Sequence, residues 1–371
     1  MSLDKFRKKE GKPDYYLILL VFILSLFGLI MIYSSSVIVS YKIFGYNWYY
    51  LNKQAISLLI GIVVWFIFAK IDYRVWQKSA LYLLIATIIL LIAVFIPGLG
   101  RSMGGATRWI GFGSFTFQPS EIAKLTFTIY LAAWLTKKGQ GIKNFQTGFL
   151  PFIFIVSVIA FLIIKEPDMG TMSIITGIAA IMFFVAGASW QHILAGALSV
   201  IVFFVIMIKT APYRMQRLMV FLNPSQGNLD ASYHINQAIL AIGSGGLWGL
   251  GFGKSMQKYF YLPEAHTDSI FAIIAEELGF LRAIFVIIIF VLIAWRGYRI
   301  AKNAPDTFSR LLATGITSWI VFQALVNLAA ISGAMPLTGV PLPFVSYGGS
   351  SLVILLAAVG ILLNISKQTS H

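Results

Sequence analysis

Apolar runs of about 20 residues recur along the whole chain, separated by short polar segments, and each is long enough for an α-helix to cross a bilayer. The segments of about ten alternating residues that are typical of a transmembrane β-barrel do not appear. The pattern therefore predicts an all-α polytopic membrane protein with about ten transmembrane helices. These spans are predicted at about 15–36, 51–69, 79–96, 119–136, 147–164, 170–187, 191–208, 268–294, 311–331 and 347–365.

The distribution of basic residues predicts how these spans are oriented in the membrane. Sixteen of the 28 lysines and arginines fall on the side that holds both termini, ten fall on the other side, and Lys124 and Arg282 lie within spans. Because cytoplasmic segments carry the excess of basic residues, both termini are predicted to be cytoplasmic. Residues 1–371 are predicted to form a single transmembrane domain, with a cytoplasmic tail at 1–14 and a large extracytoplasmic loop at 209–267, between spans seven and eight.

Composition narrows the class of protein and of ligand. The chain is 58% hydrophobic and only 11% charged, which leaves too little charged surface for a soluble domain. Its net charge of +15 is not gathered in a free-standing basic domain, so it indicates anionic lipid headgroups or an anionic lipid substrate, and no nucleic acid. The absence of cysteine excludes disulfides, thiol catalysis and thiolate metal sites.

The strongest candidate chemistry lies between Tyr261 and Gly279, where the long outer loop leads into span eight. Carboxylates are costly at a membrane edge and usually have a function there. Asp268 is either the cap of span eight or a general base whose pKa is raised by partial burial. Glu276 and Glu277 follow roughly 12 Å or more further along a helix that rises about 1.5 Å per residue, so we expect them to be structural or coupling groups.

Two other acid-containing patterns have competing interpretations. Glu121 and Lys124 are three residues apart and share a helix face, so they either neutralise each other or line a pathway. Asp168 lies in the KEPDMG segment, which is either a short polar turn or part of an outer site. Glu264, His266 and Asp268 have alternate spacing, but no zinc motif accompanies them, so a dedicated metal site is not favoured.

Arginines and hydroxyl groups also lie on the predicted outer side. Four arginines oppose the orientation bias of basic residues: Arg101, Arg108, Arg214 and Arg217. A phosphate group would explain them because the guanidinium fork matches phosphate oxygens. The loop at 332–346 is rich in glycine and proline. Irregular backbone at membrane depth must be buried in protein or line a water-filled cavity, where Ser346 and Ser350 supply hydroxyls.

Five segments carry a resemblance that covers essentially the whole chain. They are RWIGFGSFTFQPSEIAKL from Arg108, KEPDMGT from Lys165, YHINQAILAIGSGGLWGLGFGKS from Tyr233, YLPEAHTDSIFAIIAEELG from Tyr261 and PLPFVSYGGSS from Pro341. In these segments the chain resembles the SEDS family (shape, elongation, division and sporulation) of ten-span peptidoglycan glycosyltransferases, and its motif sequences resemble those of the cell-division branch most. One departure is Ser269, where many relatives are expected to have phenylalanine.

The resemblance implies a reaction, residue roles and partners. Lipid II would be polymerised into β-1,4 glycan strands at the outer face of the bacterial cytoplasmic membrane, with Asp268 as the catalytic base and undecaprenyl diphosphate as the leaving group. The groups expected around the substrate are Arg108, Glu121, Lys124, Asp168, Arg214, Glu264, His266, Ser346 and Ser350. No cofactor is firmly implied, although a divalent cation (Mg²⁺ or Mn²⁺) would suit the diphosphate. The implied partners are a class B penicillin-binding protein, other division proteins and membrane lipids.

Two other functions stay open on the sequence. A lipid II flippase would also use about ten spans and intramembrane charges, but its polar groups should continue toward the inner side. The informative acids and arginines of this chain cluster on the outer side, which favours an enzyme. A non-catalytic scaffold for division proteins predicts that replacing Asp268 has no effect, and the same polymerase could instead serve cell elongation.

Overall fold

The computed structural model describes residues 11–103, 106–112, 115–222 and 229–369. Most of the predicted basic tail, including Lys5, Arg7, Lys8 and Lys9, lies outside these residues. The helices, in chain order, are α1 Tyr15–Phe44, α2 Tyr49–Lys70, α3 Tyr73–Ala93, α4 Pro119–Lys138, α5 Leu150–Lys165, α6 Met169–Val185, α7 Trp190–Lys209, α8 Pro212–Leu222, α9 Leu229–Ser244, α10 Ile270–Leu278, α11 Phe280–Lys302, α12 Thr307–Ile331 and α13 Gly349–Gln368.

Nine of the ten predicted spans each coincide with one helix, the eighth is divided between α10 and α11, and the protein is a multi-pass, mostly helical membrane protein. Within the described ranges, eight helical segments are long and apolar enough to cross a membrane. They are α1, α2, α3, α5 with the turn before it, α7, α11, α12 and α13. The other two predicted spans correspond to α4, which carries charged residues, and to α6, which has 17 residues. The total of ten spans and the side of the termini stay predictions.

The core is built around α12, which packs against α4, α6, α11 and α13. In α12 and α13, 78% of the most apolar stretch is buried inside the protein, against 6% in α7. The apolar surface of α7 is therefore available to lipid. Both ends of the described chain meet at one end of the bundle, where the Gly11 amide donates to the Lys367 carbonyl at 2.7 Å.

The loops predicted to lie outside contain more regular structure than the sequence pattern predicts. The loop before α4 forms an antiparallel sheet of three strands, β1 Gly100–Met103, β2 Ala106–Phe112 and β3 Phe115–Phe117, with β2 in the middle. Ile110 of β2 lies opposite both Gly100 and Phe117. The loop predicted at 209–267 contains the helices α8 and α9, so it is a folded segment over its described part.

Predicted span eight is interrupted, because the chain breaks at Gly279 between α10 and α11. Gly279 has φ 81° and ψ 169°, a conformation that is essentially restricted to glycine. A Cβ atom on Gly279 would lie 2.2 Å from the Gly249 amide nitrogen. The adjacent Phe280 amide donates to the Gly246 carbonyl at 2.9 Å, so the break docks the 246–249 turn against the helix pair.

Gly279→Ala should therefore destabilise the folded protein by about 3 kcal/mol or more, because it combines backbone strain with a backbone clash. Thermal unfolding of the purified protein in detergent measures the effect. Gly187→Ala is the matched control: Gly187 also has positive φ, but no atom lies within 4 Å of its Cβ position. The control should lose only about 1–2 kcal/mol, and equal losses in the two variants would contradict the packing argument.

Candidate active site

A cavity of about 310 Å³ opens between α8, α9, the segment before α10 and the loop that follows α12. It lies at the end of the bundle predicted to be outside. Polar groups converge there on an otherwise apolar lining, which is the usual composition of a substrate pocket. The lining residues are Arg217, Val220, Phe221, His234, Ile235, Glu264, Asp268, Pro336, Leu337 and Gly339.

Asp268 is half-buried in this cavity, and Asn327 of α12 holds its backbone. The Asn327 side-chain amide donates to the Asp268 carbonyl at 2.8 Å and to the Val340 carbonyl at 2.7 Å. Helix α10 begins at Ile270, so Ser269 occupies the cap position, and no side-chain capping bond forms there. This geometry favours the interpretation of Asp268 as a reactive carboxylate over that of a helix cap.

The surroundings of Asp268 favour its protonated form. Burial and the nearby Glu264 carboxylate together raise the pKa of Asp268 to about 7, while Thr267 and Arg217 act in the opposite direction. The Thr267 hydroxyl lies 2.7 Å from Glu264 Oε2 and 3.3 Å from Asp268 Oδ1, so it links the two carboxylates. A carboxylate with a pKa near neutrality is a stronger base than an ordinary aspartate.

Two further polar residues line the cavity. Arg217 was indicated by the sequence only as an arginine that a phosphate would explain, and His234 was not predicted at all. Arg217 is anchored by a hydrogen bond from Nη1 to the Leu337 carbonyl at 3.0 Å. His234 Nε2 lies 2.7 Å from Ser269 Oγ, and that hydroxyl donates to the Pro263 carbonyl at 3.0 Å. Ser269 therefore accepts from His234, whose pKa is lowered by burial. A phenylalanine at position 269 could not accept this hydrogen bond. The serine at this position, where many relatives are expected to have phenylalanine, was therefore the sequence signal that could have indicated His234.

Arg214 was predicted as a phosphate ligand, but it does not line the cavity. Its Nη1 donates to the Met207 carbonyl at 3.0 Å, at the end of α7. Arg217 lies three residues further along α8 and faces the cavity instead. Arg217, and not Arg214, is therefore the candidate phosphate ligand of this helix, because the rotation of α8 about its axis decides which side chain points into the cavity.

Glu121 and Lys124 are brought together as a buried ion pair of 2.8 Å. Lys124 Nζ also donates to Gln323 Oε1 at 3.0 Å, and the Gln323 amide donates to the Pro341 carbonyl at 2.9 Å. Neither charged residue lines the cavity. The pair instead joins α4 to α12 and to the loop that runs beside Asp268, which favours the neutralising interpretation over a pathway.

Arg108 and Asp168 belong to a separate contact between the sheet and the turn before α6. Arg108 Nε donates to the Glu166 carbonyl at 2.8 Å, and its Nη2 donates to the Pro167 carbonyl. Asp168 is the N-cap of α6 and accepts from the Thr171 amide at 2.9 Å. The structure therefore assigns Asp168 a capping role and places neither residue in the cavity lining.

Glu166 in the same turn is buried, and no hydrogen-bond partner reaches its carboxylate within the described residues. Burial, followed by the neighbouring Asp168, raises the pKa of Glu166 to about 9, against a smaller opposite effect of Arg108. Glu166 is therefore protonated at neutral pH, so it has no negative charge with which to bind a cation.

The remaining predicted residues lie beside the site. The His266 ring contacts Tyr50 and Tyr347, with ring centres 4.3 and 5.6 Å apart, and the Tyr347 amide donates to the His266 carbonyl at 2.9 Å. Ser346 Oγ accepts from the Leu342 amide at 2.8 Å, which closes the turn before α13. Ser350 lies half-buried in the first turn of α13. None of the three lines the cavity that holds Asp268.

Glu276 and Glu277 hold the preceding loop in place. Glu276 Oε1 accepts from the Met256 amide at 3.0 Å. Glu277 Oε1 forms a buried ion pair of 3.0 Å with Lys258, and its carboxylate also accepts from the Ser34 hydroxyl at 2.7 Å. Both acids thus have the structural role expected of them, since their oxygens are occupied by the loop and by α1.

A metal held by protein groups does not fit the residues present. In the described part of the chain, no three histidine or acidic side chains come close enough together to hold a metal ion. Glu264 and Asp268 alone supply two carboxylates at the cavity. A divalent cation would have to complete its ligands with substrate phosphates.

Comparison with known proteins identifies the family. The family model described as "Cell cycle protein", which covers FtsW, RodA and SpoVE, matches residues 15–371. The chain belongs to the FtsW/RodA/SpoVE family. This match includes all the elements that surround Asp268.

Members of the FtsW/RodA/SpoVE family match over their full length. The chain is 40% identical over 363 residues to stage V sporulation protein E of Bacillus subtilis, covering 98% of this chain and 99% of the relative. It is 42% identical over 366 residues to the probable peptidoglycan glycosyltransferase FtsW of Trichlorobacter lovleyi, covering 98% and 96%. The probable peptidoglycan glycosyltransferase FtsW of Geobacter sp. (strain M18) is 40% identical, covering 98% of both chains.

Solved structures of the family share the fold. A chain of a peptidoglycan synthase complex that coordinates polymerization and crosslinking superposes with a TM-score of 0.81 at 26% identity, covering 96% of this chain and 98% of that one. The rod shape determining protein RodA of Thermus thermophilus gives a TM-score of 0.71 at 27% identity, covering 97% and 98%. The polytopic helical fold is therefore the family's own.

Proposed function

We propose that this protein polymerises lipid II into β-1,4 glycan strands at the outer face of the bacterial cytoplasmic membrane during cell division. The observation that carries the proposal is Asp268, a carboxylate with a pKa near neutrality that shares a cavity with Arg217. The enzyme class, a peptidoglycan glycosyltransferase, follows from the family and from full-length relatives that bear this name. Lipid II, the division role and the residue roles belong to the proposal.

In the proposed reaction, the Asp268 carboxylate takes the proton from the 4-hydroxyl of the acceptor sugar. That oxygen attacks the anomeric carbon of the donor and forms the new glycosidic bond. The bond between this carbon and the diphosphate breaks at the same time, and undecaprenyl diphosphate leaves with the electron pair. Attack from the opposite face inverts the α-linkage of the donor to the β-linkage of the strand.

Arg217 is the group best placed to stabilise the leaving diphosphate. One of its nitrogens is anchored on the Leu337 carbonyl, which holds the guanidinium at the cavity wall, and its other donors have no hydrogen-bond partner within the described residues. A fixed cation at the position where negative charge develops lowers the barrier without reorganisation. Neutral His234 on the same wall adds a polar surface, and Asn327 holds the backbone of the base in place.

The proposal includes a partner of the kind found in the structural relative, whose complex coordinates polymerization with crosslinking. A class B penicillin-binding protein would crosslink the strands as this protein makes them. Both substrates would reach the cavity from the membrane, since one of its walls is α8, which contacts the apolar helix α7.

The pH dependence of strand formation tests the proposed function. Because the base must be deprotonated and the pKa of Asp268 is raised to about 7, the rate should rise with pH through about 7. Glu264→Gln removes the negative charge that helps to raise this pKa, so the rising limb should move to lower pH. Gel analysis of labelled strands made by the purified full-length protein with its transpeptidase partner measures both profiles.

Asp72→Asn is the control, because Asp72 is an exposed acid near the opposite end of the bundle, where it pairs with Arg74. Its profile should match that of the unchanged protein. A profile unmoved by Glu264→Gln would contradict the coupling of the two carboxylates. No strand formation from lipid II at any pH would overturn the function itself.

The same pKa shift has a consequence for stability. The folded-state pKa of Asp268 lies above its ordinary value of 3.8, so the folded protein holds a proton that the unfolded chain releases first. Stability from this group is therefore full below pH 3.8 and is lost as the pH rises toward 7. Deprotonation of Asp268 therefore lowers the stability of the folded protein, which is typical of a carboxylate that is present for function.

A further inference from the structure

A second cavity, of about 350 Å³, lies at the other end of the bundle, where the two termini of the described chain meet. The Asp14 amide donates to Ser366 Oγ at 3.1 Å, which ties the start of α1 to the end of α13. The last turns of α11 form the remaining wall. The lining residues are Lys12, Pro13, Asp14, Tyr15, Tyr16, Arg296, Arg299, Ile300, Asn303, Ser366 and Thr369.

Positive charge dominates this cavity. Asp14 is its one acidic lining residue, and both of its oxygens are occupied by Arg296, at 2.6 Å for the shortest contact. Asp14 Oδ1 also accepts from the Leu17 amide at 3.0 Å. Lys12 and Arg299 form no salt bridge within the part of the chain that the structure describes. Two cations therefore face the cavity without a carboxylate to neutralise them.

Aromatic side chains place this cavity at the depth of the lipid headgroups. Tyr16 and Trp295 are 68% and 56% exposed, in helices whose apolar residues face lipid. The Arg296 guanidinium lies 5.0 Å from the Tyr16 ring centre, and the Arg299 guanidinium lies 5.7 Å from that of Trp295. Tyrosine and tryptophan concentrate at the membrane–water interface, so the arginines are held at the level of the phosphates.

We propose that this cavity binds the phosphate group of an anionic phospholipid, with Arg299 and Lys12 as its ligands and Arg296 held beside them by Asp14. The predicted orientation places the cavity in the cytoplasmic leaflet, which contains anionic lipids. Basic pockets between helices on that side of the membrane bind the head groups of such lipids. The guanidinium fork of Arg299 matches phosphate oxygens, and Ile300 offers an apolar wall to the lipid. The bound lipid would join α1, α11 and α13.

Titration of the purified full-length protein in detergent with phosphatidylglycerol tests the site, with the thermal unfolding midpoint as the readout. A ligand that binds only the folded protein raises this midpoint in a concentration-dependent way. Arg299→Gln and Lys12→Gln should each weaken the apparent affinity about fivefold, since each removes one basic group near the phosphate. The double variant should weaken it about 25-fold, if the two losses add.

Arg310→Gln is the matched control, because Arg310 is an exposed arginine on the same predicted side that does not line the cavity. It should change the affinity by less than about twofold. Equal stabilisation by zwitterionic phosphatidylcholine, or an unchanged affinity in the double variant, would overturn the site. Glycerol 1-phosphate separates the two sources of phosphate: weaker binding than phosphatidylglycerol supports a lipid, and equal binding would overturn the lipid assignment.

Discussion

Asp268→Asn is expected to lower the rate of lipid II polymerisation at least about 100-fold, because general base catalysis typically contributes factors of this size or larger. Asparagine has the same shape but cannot take the proton from the acceptor hydroxyl. The fold should not change, since Asn327 holds the backbone carbonyl of residue 268 and not its side chain. The initial rate of strand formation by the purified protein with its partner measures the loss.

Two comparisons make this result specific. Asp72→Asn, which removes an exposed carboxylate near the other end of the bundle, should retain the full rate, and both variants should unfold within a few degrees of the unchanged protein. Less than a tenfold loss in Asp268→Asn would contradict its role as the base. Translocation of lipid II in proteoliposomes tests the alternative: undiminished polymerisation with lost translocation would favour a flippase, and no effect on either would favour a scaffold.

The second large effect concerns the buried pair of Glu121 and Lys124. Lys124→Met is expected to destabilise the protein by about 3–5 kcal/mol, because it leaves the Glu121 carboxylate buried without its counter-charge. Glu121 Oε2 already has no hydrogen-bond partner within the described residues, so little else can compensate. The double variant Glu121→Gln with Lys124→Met should recover most of the loss. Unfolding in detergent measures the three free energies.

Lys137→Met is the control for this cycle, since Lys137 is an exposed lysine of the same helix. It should change stability by about 0.5 kcal/mol or less. A double variant no more stable than Lys124→Met would contradict the pair as a unit. Activity then separates the two interpretations of the pair: a stable, active double variant supports a structural role, and a stable, inactive one supports contact between Lys124 and the diphosphate.

Local features of the sequence predicted much of the architecture but not its interruptions. The spans could be predicted from runs of apolar residues. A run of about 20 such residues is long enough to cross the bilayer, and as a helix it forms all its backbone hydrogen bonds within the same segment. The break at Gly279 depends instead on the 246–249 turn, about thirty residues earlier, whose backbone occupies the space of a side chain. The three-stranded sheet likewise requires pairing across a loop, which a search for helical periodicity does not detect.

The candidate site shows the same division. Asp268 was predicted because an acid at a membrane edge is conspicuous and because the segment around it resembles a known family. The sequence indicated both Arg214 and Arg217 as possible phosphate ligands, because they have the same chemistry and follow the same span, but only Arg214 was included among the expected substrate groups. Only the rotation of α8 distinguishes them: Arg214 bonds Met207 of α7, while Arg217 bonds Leu337 beside the cavity.

The sequence by itself determined that this protein spans the membrane, which residue carries the proposed chemistry, and the expected side of that chemistry, because apolar length, charge bias and motif are properties of short segments. The tertiary structure alone decided which polar groups from distant segments meet. The pKa of Asp268 is raised chiefly by burial, and the position of its backbone depends on Asn327, 59 residues away. Burial and distant partners arise only when the helices pack, so no segment of the chain contains them.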